Sequence, residues 1–102
     1  MSGINTSLNI LVVEDNPGDI FLFKEFLRAT DLLIEEIFEA GRLSEAKQIL
    51  EEQKINLVFL DLSLPDSFGL ESYIGLGLPA QRLPVILLTG LSDKRRALQA
   101  LA

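Results

Sequence analysis

Apolar residues in this chain come in runs that alternate between strand and helix patterning. Leu8 to Val13 is a short apolar strand. It ends at the turn signal Asp15-Asn16-Pro17-Gly18. Helical spacing follows to about Ala29, with Asp19, Leu22, Phe23 and Phe26 on one face. Leu32 to Phe38 predicts a second strand, and Glu35-Glu36 within it favours an edge position. Ser44, read as an N-cap, begins a helix to about Gln53, with Leu43, Ala46, Ile49 and Leu50 inward. A third strand runs from Asn56 to Asp61, followed by a loop over Ser63-Leu64-Pro65-Asp66-Ser67. A short helix begins near Gly69 and ends in the Gly75-Leu76-Gly77 region. Pro84 to Thr89 is a fourth strand, and Ser92 or Asp93 caps a last helix.

Strand and helix alternate four times, which predicts an α/β fold: a doubly wound parallel sheet with helices on both faces. Val85 to Leu88 is apolar at every position, the pattern of a central parallel strand. No later strand can be read to cover its far side. The sheet is therefore expected to stop after its fourth helix, with an apolar edge open to pairing with a second copy as a homodimer. Residues 1–7 read as a polar lead-in and 8–102 as one domain.

Composition narrows the chemistry. With 102 residues and 48% hydrophobic positions, the chain can form one core but not two. A net charge of -6 argues against binding a phosphate backbone. There is no Cys and no His, so thiolate chemistry, disulfides and imidazole bases are excluded. No apolar run reaches the ~20 residues of a membrane span, and no cationic leader opens the chain. These features predict a cytoplasmic domain whose chemistry rests on carboxylates, hydroxyls, Lys and backbone.

Carboxylates stand where such chemistry would be. The Leu8–Val13 run is followed by Glu14-Asp15, and the Asn56–Leu60 run by Asp61. Acids at the carboxyl ends of neighbouring parallel strands share the crevice in which open α/β sheets bind ligands. Three carboxylates there repel one another unless a hard cation lies among them, and an all-oxygen set suits Mg²⁺.

With these residues in place, the chain resembles the receiver domain of two-component response regulators. The resemblance rests on Ile10-Leu11-Val12-Val13-Glu14-Asp15-Asn16, on Leu60-Asp61-Leu62-Ser63-Leu64-Pro65-Asp66-Ser67-Phe68-Gly69-Leu70 and on Leu87-Leu88-Thr89-Gly90. The Asn16-Pro17-Gly18-Asp19 continuation looks like that of phytochrome-associated regulators and of receivers fused to sensory proteins. The resemblance implies a flavodoxin-like sheet and a stoichiometric phosphoacceptor rather than an enzyme. It implies that Asp61 takes a phosphoryl group from a sensor histidine kinase or phosphotransfer protein. Glu14 and Asp15 match the acid pair that holds Mg²⁺, with Asp15 favoured as the direct ligand. Ser63 matches the position that lends a backbone carbonyl to the metal. Thr89 matches the hydroxyl that turns toward the phosphoryl group. In the family the first helix faces the partner, so Ile20 and Phe21, which fall on its outer side, are candidate docking residues.

The family's fifth-strand Lys and aromatic switch residue have no position in this chain, and Lys94 belongs to the last helix. That departure favours an alternative reading as a non-switching receiver-like interaction or dimerisation module. A haloacid-dehalogenase-type phosphatase also uses a strand-end Asp with Mg²⁺. It needs a second Asp two residues on, where this chain has Ser63. Lys94-Arg95-Arg96 reads as a solvated helix start. Gly75-Leu76-Gly77 follows a helix, the wrong context for a phosphate-cradling loop.

Overall fold

A computed structural model describes residues 7–77 and 82–88. The elements in chain order are β1 (Leu8–Val13), α1 (Pro17–Ala29), β2 (Ile34–Ala40), α2 (Leu43–Glu52), β3 (Leu57–Asp61), β4 (Ser63–Leu64), β5 (Ser67–Phe68), α3 (Leu70–Leu76) and β6 (Val85–Leu88). The main sheet has the order β2-β1-β3-β6, and every pairing in it is parallel. β1 thus lies between β2 and β3, and the winding reverses beside it. The crevice at the carboxyl ends of β1 and β3 is the topological switch point, where doubly wound sheets bind ligands.

Side chains on β1 and β3 alternate between two cores. On one face Ile10, Val12 and Phe59 pack with Phe23 and Leu27 of α1. On the other, Leu11, Val13, Val58 and Leu60 pack with Ala46 and Leu50 of α2 and Leu76 of α3. Burial on both faces explains why these two strands read as continuous apolar runs. β2 is an edge strand, as Glu35-Glu36 predicted, and both glutamates are exposed.

Several expectations need correction. On α1, Phe23 is buried and Phe26 packs against the same core as expected, but Leu27 is buried there too and Leu22 is 46% exposed. The face is turned by the contact of the Phe23 ring with Phe59 of β3, which seats Leu27 one helical turn on in the same core. Ser44 does not cap α2. The N-cap is Arg42, and the helix begins at Leu43. The stretch after Asp61 is an antiparallel hairpin rather than an open loop, pairing Ser63 with Phe68 and Leu64 with Ser67. Among the described residues β6 is the outermost strand. Ile86 and Leu87 are about a third exposed there, in keeping with the open apolar edge expected from the sequence.

α1 starts where it does because Asn16 accepts hydrogen bonds from Gly18 N at 2.9 Å and Asp19 N at 3.2 Å, with Pro17 at the first helical position. The hairpin meets α3 at Gly69, whose φ of 69° and ψ of -155° fall in a region open essentially to glycine alone.

Candidate phosphoacceptor and metal site

Register brings the acids together. Val13 pairs with Leu60, so the next residues along the two strands are Glu14 and Asp61. Both ladders continue past the strand ends: Glu14 N donates to Ala40 O at 2.9 Å, and Leu62 N donates to Leu88 O at 2.9 Å. Glu14, Asp15 and Asp61 each place a carboxylate oxygen within 4.8 Å of the other two. Glu14 is 1% exposed and Asp61 4%, while Asp15 is open to solvent. Asp61 therefore has an apolar floor of sheet side chains behind it and solvent access only from the crevice.

Both buried acids are oriented by the same local device. Asp61 Oδ1 accepts the backbone N–H of Ser63 at 2.9 Å. Glu14 Oε1 accepts that of Asn16 at 3.1 Å. In each case one carboxylate oxygen is held by the N–H two residues downstream, the bond that defines an Asx-type turn. Asn16 thereby works in both directions: its N–H orients Glu14 while its side chain begins α1.

The donor set fits a hard divalent cation. Three carboxylates with converging oxygens, two of them buried and Asp15 exposed, offer the oxygen-only ligation that Mg²⁺ prefers. A divalent cation held there would relieve the mutual repulsion of three anionic groups at this separation.

The remaining sequence candidates distribute as follows. Ser63 is exposed in the hairpin immediately after Asp61. Phe21, 62% exposed on α1, and Ile20, half-buried beside it, lie outside the acid cluster. Thr89 lies outside the described residues, as do Lys94 and the expected last helix. Two contributors were not singled out from sequence. Asn16 carried a signal, since Asn before Pro at a helix start is an N-cap pattern, but it read only as a turn. Asp66 carried none. Its Oδ1 accepts Leu43 N at 2.7 Å and its Oδ2 accepts Ser44 N at 3.1 Å, so it caps α2 from 23 residues away.

These two bonds hold the Asp66 carboxyl below the usual carboxylate range. The Leu43 N–H is the main cause and desolvation opposes it; the Ser44 N–H, Asp66's own N–H and the Arg42 charge add to the lowering.

A family model described as "Response regulator receiver domain" matches residues 10–102, and the chain belongs to that family. The swarming motility regulation protein RssB of Serratia marcescens is 35% identical over 82 residues, which are 80% of this chain and 36% of that protein. The chain thus spans little more than a third of that relative's length. Among solved structures, the MaeR response regulator bound to beryllium trifluoride superposes with a TM-score of 0.73 at 31% identity, covering 92% of this chain and 76% of the other. The phosphorylated cyanobacterial phytochrome response regulator RcpA gives 0.69 at 27% identity, covering 94% of this chain and 76% of that one. The four-stranded parallel sheet with helices on both faces is the receiver fold. No helix among the described residues is long and apolar enough to cross a membrane.

Proposed function

We propose that Asp61 is the phosphoacceptor of this receiver. The observation that carries the reading is the convergence of Glu14, Asp15 and Asp61 within 4.8 Å at the switch point, with Asp61 nearly buried. A carboxylate oxygen of Asp61 attacks the phosphorus of a phosphohistidine on a histidine kinase or phosphotransfer protein. The P–N bond breaks, the imidazole nitrogen keeps its electron pair and is protonated, and Asp61 becomes an aspartyl phosphate. The chain acts as a cytoplasmic, stoichiometric switch rather than a turnover catalyst.

Glu14, Asp15, Asp61 and the backbone carbonyl of Ser63 would hold Mg²⁺. When bound, the cation neutralises charge on the transferring phosphoryl oxygens. Asp15, the most accessible acid, is the direct ligand, while Glu14 is oriented by Asn16. Thr89, one residue past β6, supplies the hydroxyl that bonds the phosphoryl group. Ile20 and Phe21 form the surface on which the phosphodonor docks. The phosphorylated state of RcpA and the beryllium trifluoride bound to MaeR support this reading by likeness.

The test is intact mass after incubation with Mg²⁺ and acetyl phosphate, beside an Asp61→Asn control. One phosphoryl group on the native chain and none on the control is the expected result. Addition to neither would sink the switch reading and favour an interaction module.

A further inference from the structure

We propose that Asp66 is a positioning residue for the metal site, fixing the Ser63 peptide by tying the hairpin that carries it to the start of α2. This inference rests on the Mg²⁺ reading of Glu14, Asp15, Asp61 and Ser63 given above.

Ser63 follows Asp61 by two residues and is the first residue of a very short hairpin. Two residues cannot hold themselves in one orientation, since an isolated pair of short strands is marginal in water. The hairpin is instead fixed at three points. At its base, Gly69 N donates to Leu62 O at 2.6 Å, and Ser63 N donates to Asp61 Oδ1 at 2.9 Å. Along one arm, the buried Ser72 of α3 donates its hydroxyl to Ser67 Oγ at 2.9 Å. At the tip, Asp66 accepts the first two N–H groups of α2, one on each carboxylate oxygen.

The tip anchor differs from the others in reaching α2, 22 and 23 residues earlier in the chain, whereas Ser72 belongs to the helix that follows directly on the hairpin. α2 is rigidly seated: Ala46 and Leu50 are buried in the core, and Leu43 sits so close to α3 that a Cβ on Gly75 would come within 2.6 Å of its Cδ2. Asp66 carries that rigidity to the hairpin tip, beside the packing of Leu64 in the same core as Ala46 and Leu50. A ligand carbonyl must be held to a few tenths of an ångström for Mg²⁺, whose geometry is strict. Releasing the tip would let the Ser63 peptide rotate about the Asp61 turn. In the reverse direction, any shift of Ser63 on metal binding is passed to the Leu43 and Ser44 amides.

The experiment is an amide NMR titration with Mg²⁺ on the native chain, Asp66→Asn, Asp66→Ala and Asp61→Asn. Native Leu43 and Ser44 resonances are expected to move with the same midpoint as Ser63. Asp66→Ala is expected to weaken Mg²⁺ binding about tenfold, the lower end for loss of an outer-shell support. Asp66→Asn, which keeps one acceptor oxygen, should fall between, and it decides the matter if Asp66→Ala loses its core resonances. Equal midpoints in native and Asp66 variants, with Leu43 and Ser44 unmoved, would overturn this inference and leave the metal site standing. No response in the native chain would overturn the metal reading and this inference with it.

Discussion

The rings of Phe23 and Phe59 lie with centroids 5.3 Å apart and planes inclined at 47°, joining α1 to β3 two residues before Asp61. Both are fully buried. Replacing either with Ala removes a ring from a close-packed core and is expected to cost about 3–5 kcal/mol. A double-mutant cycle should find about 0.5–1.5 kcal/mol of coupling from the ring pair itself. Urea unfolding of the four proteins measures both quantities. Loss of under about 1 kcal/mol from Phe59→Ala would contradict this account of the core.

Magnesium is expected to raise the melting temperature of the native chain, because a ligand held only by the folded state stabilises it by mass action. Asp15→Asn should melt at or above the native temperature without metal, since it removes one of three crowded negative charges. It should then lose most of the magnesium-dependent rise. Thermal denaturation across a MgCl₂ series provides the comparison. A full native-sized rise in Asp15→Asn would remove Asp15 from the ligand set.

Asp66 makes the start of α2 sensitive to acid. Its folded-state pKa is depressed below 3.8, so its stabilising contribution is complete above that value. The contribution is lost as pH falls through the folded pKa, when protonation weakens acceptance from Leu43 N and Ser44 N. Asp66→Asn is expected to melt a few degrees lower than native at neutral pH. The gap should narrow as pH drops below about 4, where the native carboxyl also becomes neutral. Other carboxylates titrate in the same window, so the difference between the two melting curves is the quantity to follow. A gap independent of pH would mean that the charge of Asp66 contributes nothing.

Phe21 offers a separation between docking and chemistry. Being 62% exposed, it adds little to folding, and Phe21→Ala should change stability by no more than about 0.5 kcal/mol. Phosphorylation by acetyl phosphate should be unchanged, because a small donor needs no docking surface. Transfer from a phosphohistidine partner should slow by about tenfold, the consequence of losing an aromatic anchor. Equal slowing with both donors would place the effect on the site rather than on the partner surface.

The sequence made the main sheet legible because its inner strands are buried on both faces and so announce themselves as apolar runs. β1 and α1 fall within the expected bounds, and the Glu35-Glu36 pair marked β2 as an edge. The acid cluster was legible for a related reason: a carboxylate at the end of an apolar run has no packing purpose. What sequence reading missed is non-local or too short to be periodic. A hairpin with two-residue arms has no alternation to detect. The cap of α2 comes from Asp66, and local rules pointed to Ser44 because only neighbouring residues were in view. Helical spacing placed Phe23 and Phe26 on the packed side of α1 but included Leu22 and missed Leu27, because the exact rotation of the helix is set by its contact with Phe59 and not by local spacing.

The position of β1 between β2 and β3 has a consequence for how the molecule breathes. β1 and β3 are hydrogen-bonded along both edges and covered on both faces, so their amides are the ones expected to exchange with deuterium only through global opening. Glu14 and Asp61 stand at the ends of these two slow strands, while Asp15 and Ser63 are exposed residues just beyond them. Two of the three carboxylates in the crevice are thus as permanent as the fold itself.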